Sequence, residues 1–320
     1  MPRTPARSDL DEAYLPFLAA LAPTDPAAAP NVGSIAKMRE AAVRIRSPWQ
    51  AGGAVMHETI DDSIVSEHGR LGIRVYYPNA ARPLPTLVYL HGGGWSLLSI
   101  ETHDRLMREF AARTGWAVVG VDYPLAPEVC FPDTVYACSA AFDTLSGSAY
   151  RLGLTGPWAL AGDSAGANLA LAVALHARDL DMPMPDALIL GYGVYDGTRH
   201  APSYAEFSGL PFTLSHGRME FFWNTYCPDL SKRKDPLASP AVADLGGLPP
   251  VRLMTTGMDI LRDENLALAV SLAEAGNLVS LDHHPRAPHA FLEALALHDE
   301  AARAVSQSAA WLTHVTRRSG

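Results

Sequence analysis

One pentapeptide constrains this chain more than any other stretch. Gly162-Asp163-Ser164-Ala165-Gly166 follows the apolar run Pro157 to Ala161 and leads into the helical pattern Asn168 to Leu175. That order reads as strand, sharp turn and helix. A serine at the apex of such a turn has little room around it, and a glycine on either side lets strand and helix approach closely. The helix that starts there aims its positive end and its free N–H groups at the serine oxygen. Ser164 is therefore a candidate nucleophile. A serine after a glycine turn can also be a simple helix cap, so the rest of the chain must supply the other parts of such a site.

A serine hydroxyl is a weak nucleophile at neutral pH. It needs a base, the base needs an orienting acid, and the oxyanion needs donors. For the base, the sequence favours His289, in a loop expected after the last strand. Its rivals are placed less well: His283 and His284 on or at the end of that strand, His298 and His314 in the final helix. For the acid, Asp259 closes the strand Val251 to Gly257 and faces the same rim as Ser164 and His289. Asp196 is the second candidate. Asp263 and Glu264 read as first-turn residues that complement the next helix's dipole. For the oxyanion, Gly92, Gly93 and Gly94 follow the third strand and expose backbone N–H groups, to be joined by that of Ala165. His91 is expected to support this loop. Walker spacing with a lysine is absent, as is G-x-G-x-x-G, so no nucleotide site is expected.

Around these residues apolar runs and helical patterns alternate. Two strands are expected at Val55 to Ile60 and Gly72 to Pro78, and buried strands at Thr86 to Leu90, Trp116 to Tyr123, Ala187 to Tyr192 and Val251 to Gly257, with a last strand at Leu278 to His283. Helices are expected at Thr102 to Arg113, Pro132 to Leu145, Glu264 to Ala275 and Leu292 to Val315. This alternation implies an α/β fold with a mostly parallel sheet flanked by helices. Two stretches stand outside it. Residues 1–50 hold a helix over Leu10 to Leu21, interrupted at Pro16, a Pro/Ala-rich link from Pro23 to Pro30, and a second helix from Ser34, its N-cap, to Ile45. Residues 197–235 form an insertion rich in aromatic side chains, placed after a strand's C-terminal end where such folds bind ligands. Both could cover a site on a main domain spanning residues 51–320.

Composition narrows the surroundings. A chain of 320 residues, 48% hydrophobic, suits one large domain. A net charge of −9 without a long basic run argues against nucleic acid or anionic membranes as partners. The three cysteines, Cys130, Cys138 and Cys227, lack metal or disulfide spacing and read as free thiols. No apolar segment follows the arginines of residues 1–9, and none is long enough to span a bilayer, so a cytoplasmic location is expected.

Taken together these motifs resemble the hormone-sensitive-lipase-like group of α/β-hydrolases, and within it the bacterial acetyl esterases and carboxylesterases. The resemblance runs from about residue 34 to the C-terminus. It rests on His91-Gly92-Gly93-Gly94-Trp95, Thr102-His103-Asp104, Asp122 to Glu128 with Phe131-Pro132, Gly162 to Asn168, Ser239-Pro240, Asp259 with Leu261 to Glu264, and His289-Ala290-Phe291. It implies an eight-stranded sheet, a helical cap built from residues 1–50 and about 197–235, and hydrolysis of short-chain esters, acetyl to about octanoyl, with no metal or cofactor. The family's triad falls on Ser164, Asp259 and His289, with His91, Trp95 and Asp163 in supporting places. Pro124 stands where the family usually has arginine, and Ile260 where proline is common. The implied partner is a small-molecule ester, and the implied assembly a monomer or homodimer. An amidase or arylformamidase on the same triad is an alternative, and a non-catalytic receptor a remoter one.

Overall fold

The computed structural model describes residues 9–21, 35–207 and 214–317. The expectations for residues 1–8, the Pro23 to Pro30 link, the Ser34 cap and Phe212 lie outside them. One sheet of eight strands organises the chain: β1 (Glu58–Ser66), β2 (Gly69–Tyr77), β3 (Leu84–Leu90), β4 (Ala117–Asp122), β5 (Leu154–Asp163), β6 (Ala187–Gly191), β7 (Val251–Met258) and β8 (Val279–Pro288). Their order is β1-β2-β4-β3-β5-β6-β7-β8. Only β2 runs against its neighbours; the pairs from β4 to β8 are all parallel.

The order has a physical consequence for the site. From β3 the chain crosses outward to β4 through helix α3 (Ile100–Thr114). It then returns past β3 to β5 and moves the other way to β6 through helix α5 (Ala165–Asp179). Right-handed crossovers in opposite directions put α3 and α5 on opposite faces of the sheet. The ends of β3 and β5 thus flank the point where strand order reverses, and there the loops after them part to leave a crevice. Helix α4 (Asp133–Ser148) packs with α5, and α9 (Asp299–Thr316) packs with α3. Strands β3 to β7, covered by both layers, are almost continuously buried: Leu87 to Leu90, Ala159 to Ala161, Leu188 to Leu190 and Val251 to Met254 form the heart of the core.

Helices α1 (Leu15–Leu21), α2 (Ile35–Gln50), α6 (Pro202–Glu206) and α7 (His216–Tyr226) lie outside this layering, and α8 (Arg262–Glu274) links β7 to β8. Several boundaries differ from the sequence expectation. Pro16 does not interrupt α1. It sits in the helix's first turn, where a missing N–H is harmless. Helix α2 continues past Ile45 to Gln50, carrying Pro48 inside it. The first strand lies at Glu58–Ser66, not Val55 to Ile60, because its hairpin partner β2 fixes the register from Ser66↔Gly69 to Glu58↔Tyr77. Edge strand β8 runs on to Pro288, since prolines are tolerated where a backbone N–H has no ladder to join. The expected last helix is two elements, a 3-10 turn over Phe291–Ala296 and then α9, because the His298 side chain accepts the Glu300 N–H and starts a new helix.

Candidate active site

The site is assembled from strand ends. Ser164 lies between β5 and α5 with φ 52° and ψ −120°, a conformation that costs a non-glycine residue about 1–3 kcal/mol and that its surroundings must enforce. They do so by close approach. A Cβ on Gly166 would lie 2.0 Å from the Leu90 carbonyl oxygen, and one on Gly162 2.4 Å from Gly166 backbone. Neither position accepts another residue, so the two glycines have the role the sequence assigned them. The Ser164 N–H is held by the Gly191 carbonyl at 2.8 Å. Ser164 is the only partly exposed residue of the pentapeptide.

Register brings the other two residues together. Met258 of β7 pairs with Pro288 of β8, so the next residue on each strand, Asp259 and His289, emerge side by side. His289 Nδ1 lies 2.7 Å from Asp259 Oδ2, and His289 Nε2 lies 3.0 Å from Ser164 Oγ. The Asp259 carboxylate is fixed by two further donors, the Thr256 hydroxyl at 2.7 Å and the Leu261 N–H at 3.0 Å. With its acceptor role fixed in this way, Asp259 accepts a hydrogen bond from Nδ1–H and leaves the Nε2 lone pair directed at the Ser164 hydroxyl. Asp196, the second candidate acid, instead accepts from Thr198 and Arg199. His283 and His284 are in β8, His298 caps α9 and His314 is within it.

The glycine loop after β3 divides its donors. The Gly92 N–H is already committed to Asp163 Oδ1 at 3.0 Å, and a Cβ on Gly92 would lie 2.5 Å from that carboxylate. Gly92 therefore anchors the loop and leaves the expected set of oxyanion donors. No hydrogen bond among the described residues uses the N–H of Gly93, Gly94 or Ala165. Gly93 and Gly94 have φ of +120° and +59°, and Gly94 lies against the Phe222 ring. His91 supports the loop as expected. It is buried, its Nδ1 meets the Gly92 carbonyl at 2.7 Å, and burial pushes its pKa down to about 3. Trp95, with φ 56°, stacks on Tyr226 of α7 at 4.3 Å.

Asp163 is the busiest residue beside the nucleophile. Its Oδ1 accepts from the Tyr89 hydroxyl (2.9 Å) as well as from Gly92, and its Oδ2 from that of Tyr192 (3.4 Å). His103 Nε2 lies 3.2 Å from Oδ1, too poorly aligned for a hydrogen bond but within ion-pair range. Burial opposes charge on both groups, but each partner outweighs it: Asp163 is held below the usual carboxylate range and His103 above the usual histidine range. Geometry agrees. The Thr102 hydroxyl spends its only proton on the Ser99 carbonyl, so His103 Nδ1, 3.0 Å away, must donate to it. Nε2, facing a carboxylate, carries the second proton.

Glu293 completes the cluster from the turn after His289. Among the described residues His103, Asp163 and Glu293 are the group whose ligand atoms, all within 4.8 Å of one another, could gather round a metal ion. Here those atoms are engaged otherwise. Both Glu293 oxygens meet the Arg46 guanidinium, and His103 faces Asp163 with a proton. A divalent ion would have to displace that proton and oppose Arg46, so the arrangement suits an ion-pair network.

Sequence reasoning missed Thr256, Tyr89, Tyr192, Arg46 and Glu293. His103 was noted only as part of a motif, without a role. Arg46 had left a signal: it falls in phase with the buried stripe Ile35, Met38, Ala42 and Trp49, where an arginine marks a buried charge in need of a partner. Glu264 was misread. It is buried, accepts the Tyr195 N–H at 2.7 Å, and burial holds its carboxyl well above the usual range, so it does not serve as a solvated dipole complement.

A cavity opens over Ser164 and His289. Leu21, Ala42 and Arg46 of α1 and α2 line it, as do Gly93, Gly94, Leu97 and Leu98, and Arg218, Met219 and Phe222 of α7. A serine, a histidine and a carboxylate joined by hydrogen bonds at the topological switch of a mostly parallel sheet, under covering helices, is the arrangement of an α/β-hydrolase. The sequence matches the family described as alpha/beta hydrolase fold over residues 87–293, and the chain belongs to it, in its hormone-sensitive-lipase-like branch. It is 35% identical over 246 residues to the carboxylesterase NlhH of Mycobacterium tuberculosis, covering 75% of this chain and 77% of that one. It is similar to the solved esterase of Pyrobaculum calidifontis (34% identity, 88% and 92% of the two chains, TM-score 0.84). It is also similar to a thermostable esterase of Pseudomonas putida ECU1011 (28%, 98% and 99%, TM-score 0.88). No helix among the described residues is long and apolar enough to cross a membrane.

Proposed function

We propose that this carboxylic ester hydrolase acts on short-chain acyl esters, acetyl to about octanoyl, through an acyl-enzyme on Ser164. The observation that supports the reading is the hydrogen-bond chain from Ser164 Oγ through His289 to Asp259, beside three backbone N–H groups that no hydrogen bond among the described residues uses. In this mechanism His289 Nε2 takes the Ser164 proton as Oγ attacks the ester carbonyl. The N–H groups of Gly93, Gly94 and Ala165 receive the oxyanion. Collapse breaks the ester bond, and His289 returns its proton to the departing alkoxide. Water then enters, gives a proton to His289, and attacks the acyl carbon. Collapse of that second intermediate frees the acid and restores the Ser164 hydroxyl. Asp259 keeps the proton on Nδ1, which holds the neutral imidazole in the tautomer that can receive at Nε2 and stabilises the imidazolium once it has.

The elements in residues 1–50 and about 197–235 serve as a cap in this reading. Leu21, Leu214, Met219 and Phe222 give the cavity apolar walls, which suit an acyl chain. Apolar walls that exclude water also strengthen the electrostatics at the carbonyl. The test is hydrolysis of p-nitrophenyl acetate, butyrate, octanoate and laurate, with a matched anilide alongside. The expected result is activity that falls beyond octanoate, exceeds that on the anilide, and drops by about a thousandfold or more in Ser164→Ala. Full activity in Ser164→Ala, or preference for the anilide, overturns the proposal.

A further inference from the structure

Four charged side chains lie in a row at the cavity wall, three of them lining it, and the mechanism above uses none of them directly. Arg46 belongs to α2. Its Nε bonds to Glu293 Oε2, and its Nη2 lies 3.3 Å from Oε1. Both side chains are nearly sealed, 7% and 4% exposed. Glu293 reaches the neighbourhood of His103, and His103 reaches Asp163, so the signs alternate plus, minus, plus, minus. Each end of the row touches a different working part. Glu293 is four residues beyond His289, in the turn that begins at Ala290 with φ 65°. Asp163 adjoins Ser164 and holds the Gly92 N–H.

We propose that Arg46 is a positioning residue: its ion pair with Glu293 makes alignment of His289, Ser164 and the glycine loop depend on α2 being seated over the cavity. Three observations carry this. First, α2 lies outside the sheet's own layers, yet it supplies the partner for a sealed carboxylate; without it, a buried negative charge within 4.8 Å of His103 and Asp163 would draw the charged His103 away from Asp163 and repel the Asp163 carboxylate. Second, the fork is directional. A guanidinium with two contacts to one carboxylate fixes angle as well as distance, which an apolar contact in the same place would not. Third, Arg46, Glu293, Asp163, Ser164 and His289 all line one cavity, and the turn that joins Glu293 to His289 is closed by the Glu293 N–H on the Ala290 carbonyl at 3.0 Å, so a shift of Glu293 is passed to the residue next to the base. Misplacement of a reacting group by about an ångström is enough to slow a reaction by about a hundredfold.

The inference rests on the proposed acyl-enzyme reading, and the experiment separates the two. Wild type, Arg46→Lys, Arg46→Met, Glu293→Gln and the double variant Arg46→Met/Glu293→Gln are titrated with a p-nitrophenyl phosphonate, which counts serines able to react. Steady-state kinetics on p-nitrophenyl butyrate then give kcat per titrated site. For Arg46→Met the expected result is full titration, a KM within about threefold of wild type, and a per-site kcat lower by about a hundredfold. Arg46→Lys should recover part of that loss, and the double variant should be no worse than the poorer single variant, because the two changes remove one interaction. A per-site kcat within threefold of wild type in Arg46→Met, a defect confined to KM, or losses that multiply in the double variant overturns the proposal. If Arg46→Met does not fold, Arg46→Lys decides: a per-site kcat equal to wild type overturns it. A wild-type protein that hydrolyses esters but does not titrate would instead fail the acyl-enzyme reading.

Discussion

Asp259 receives hydrogen bonds at both carboxylate oxygens, from Thr256 and His289 at one and from the Leu261 N–H at the other. Every one of these donors needs an acceptor. Asp259→Asn would place an amide NH2 among donors, and the simplest relief is for His289 to move its proton to Nε2, the wrong tautomer for receiving one from Ser164. The expected outcome is a fall in kcat of about ten-thousandfold with circular dichroism unchanged. A loss below tenfold in that measurement would mean that Asp259 does not set the tautomer. The same scale shows what the sequence could reveal. The meeting of Ser164, Asp259 and His289 was legible because each follows a strand, and strand ends in a mostly parallel sheet share one rim. The split role of the glycine loop was not legible, because which N–H is spent on Asp163 depends on a contact across 71 positions of sequence.

Among elements, β8 leads directly into His289, so whatever holds β8 holds the proposed base. His284, five positions earlier, is clamped between Asp282 on its own strand and Glu300 on α9. Arg252 of β7 pairs with the same Asp282, and the Phe291 ring lies 4.5 Å from the imidazole. Glu300 also accepts the Tyr14 hydroxyl, which ties the turn before α1 into the same knot. Burial disfavours charge on His284, but its two carboxylate partners outweigh this and raise its pKa from 6.5 to about 9. A folded-state pKa above the unfolded value adds stability that is complete below about pH 6.5 and is lost as pH rises through 9. The full contribution is roughly 3 kcal/mol. The melting temperature of wild type should therefore fall more between pH 7 and 10 than that of His284→Gln, and parallel curves would remove His284 from this role. Elements were read well where apolar runs are continuous, as in β3 to β7. They were read poorly where exposure hides the period: β1 and β8 are edge strands with few buried positions, and β1 was misplaced at both ends and β8 at its C-terminal end.

At the scale of the molecule, the sheet accounts for where the site is, and the covering helices for what encloses it. The β–α alternation carried the fold class through to the structure, since a parallel sheet must bury both faces and its sequence must therefore alternate in blocks. The covering helices were only half legible. Their existence could be read, but the partners of Arg46, Arg39 and Tyr14 could not, because Glu293, Glu128 and Glu300 lie 89 to 286 positions away along the chain.

Those separations bear on time as well as space. Residues 46, 92, 164, 259, 289 and 293 must all arrive before the cavity exists, and the chain between them includes most of a sheet whose strands β4, β3 and β5 do not add in sequence order. Contacts so distant along the chain form late, after local helices and the first strand pairs have set. On dilution from denaturant, helical circular dichroism should thus return well before esterase activity, and the lag should be absent if the two recover with one rate constant. In a cell the same lag would leave a newly made chain folded in outline and unable to act on esters until α2 had found the turn after β8.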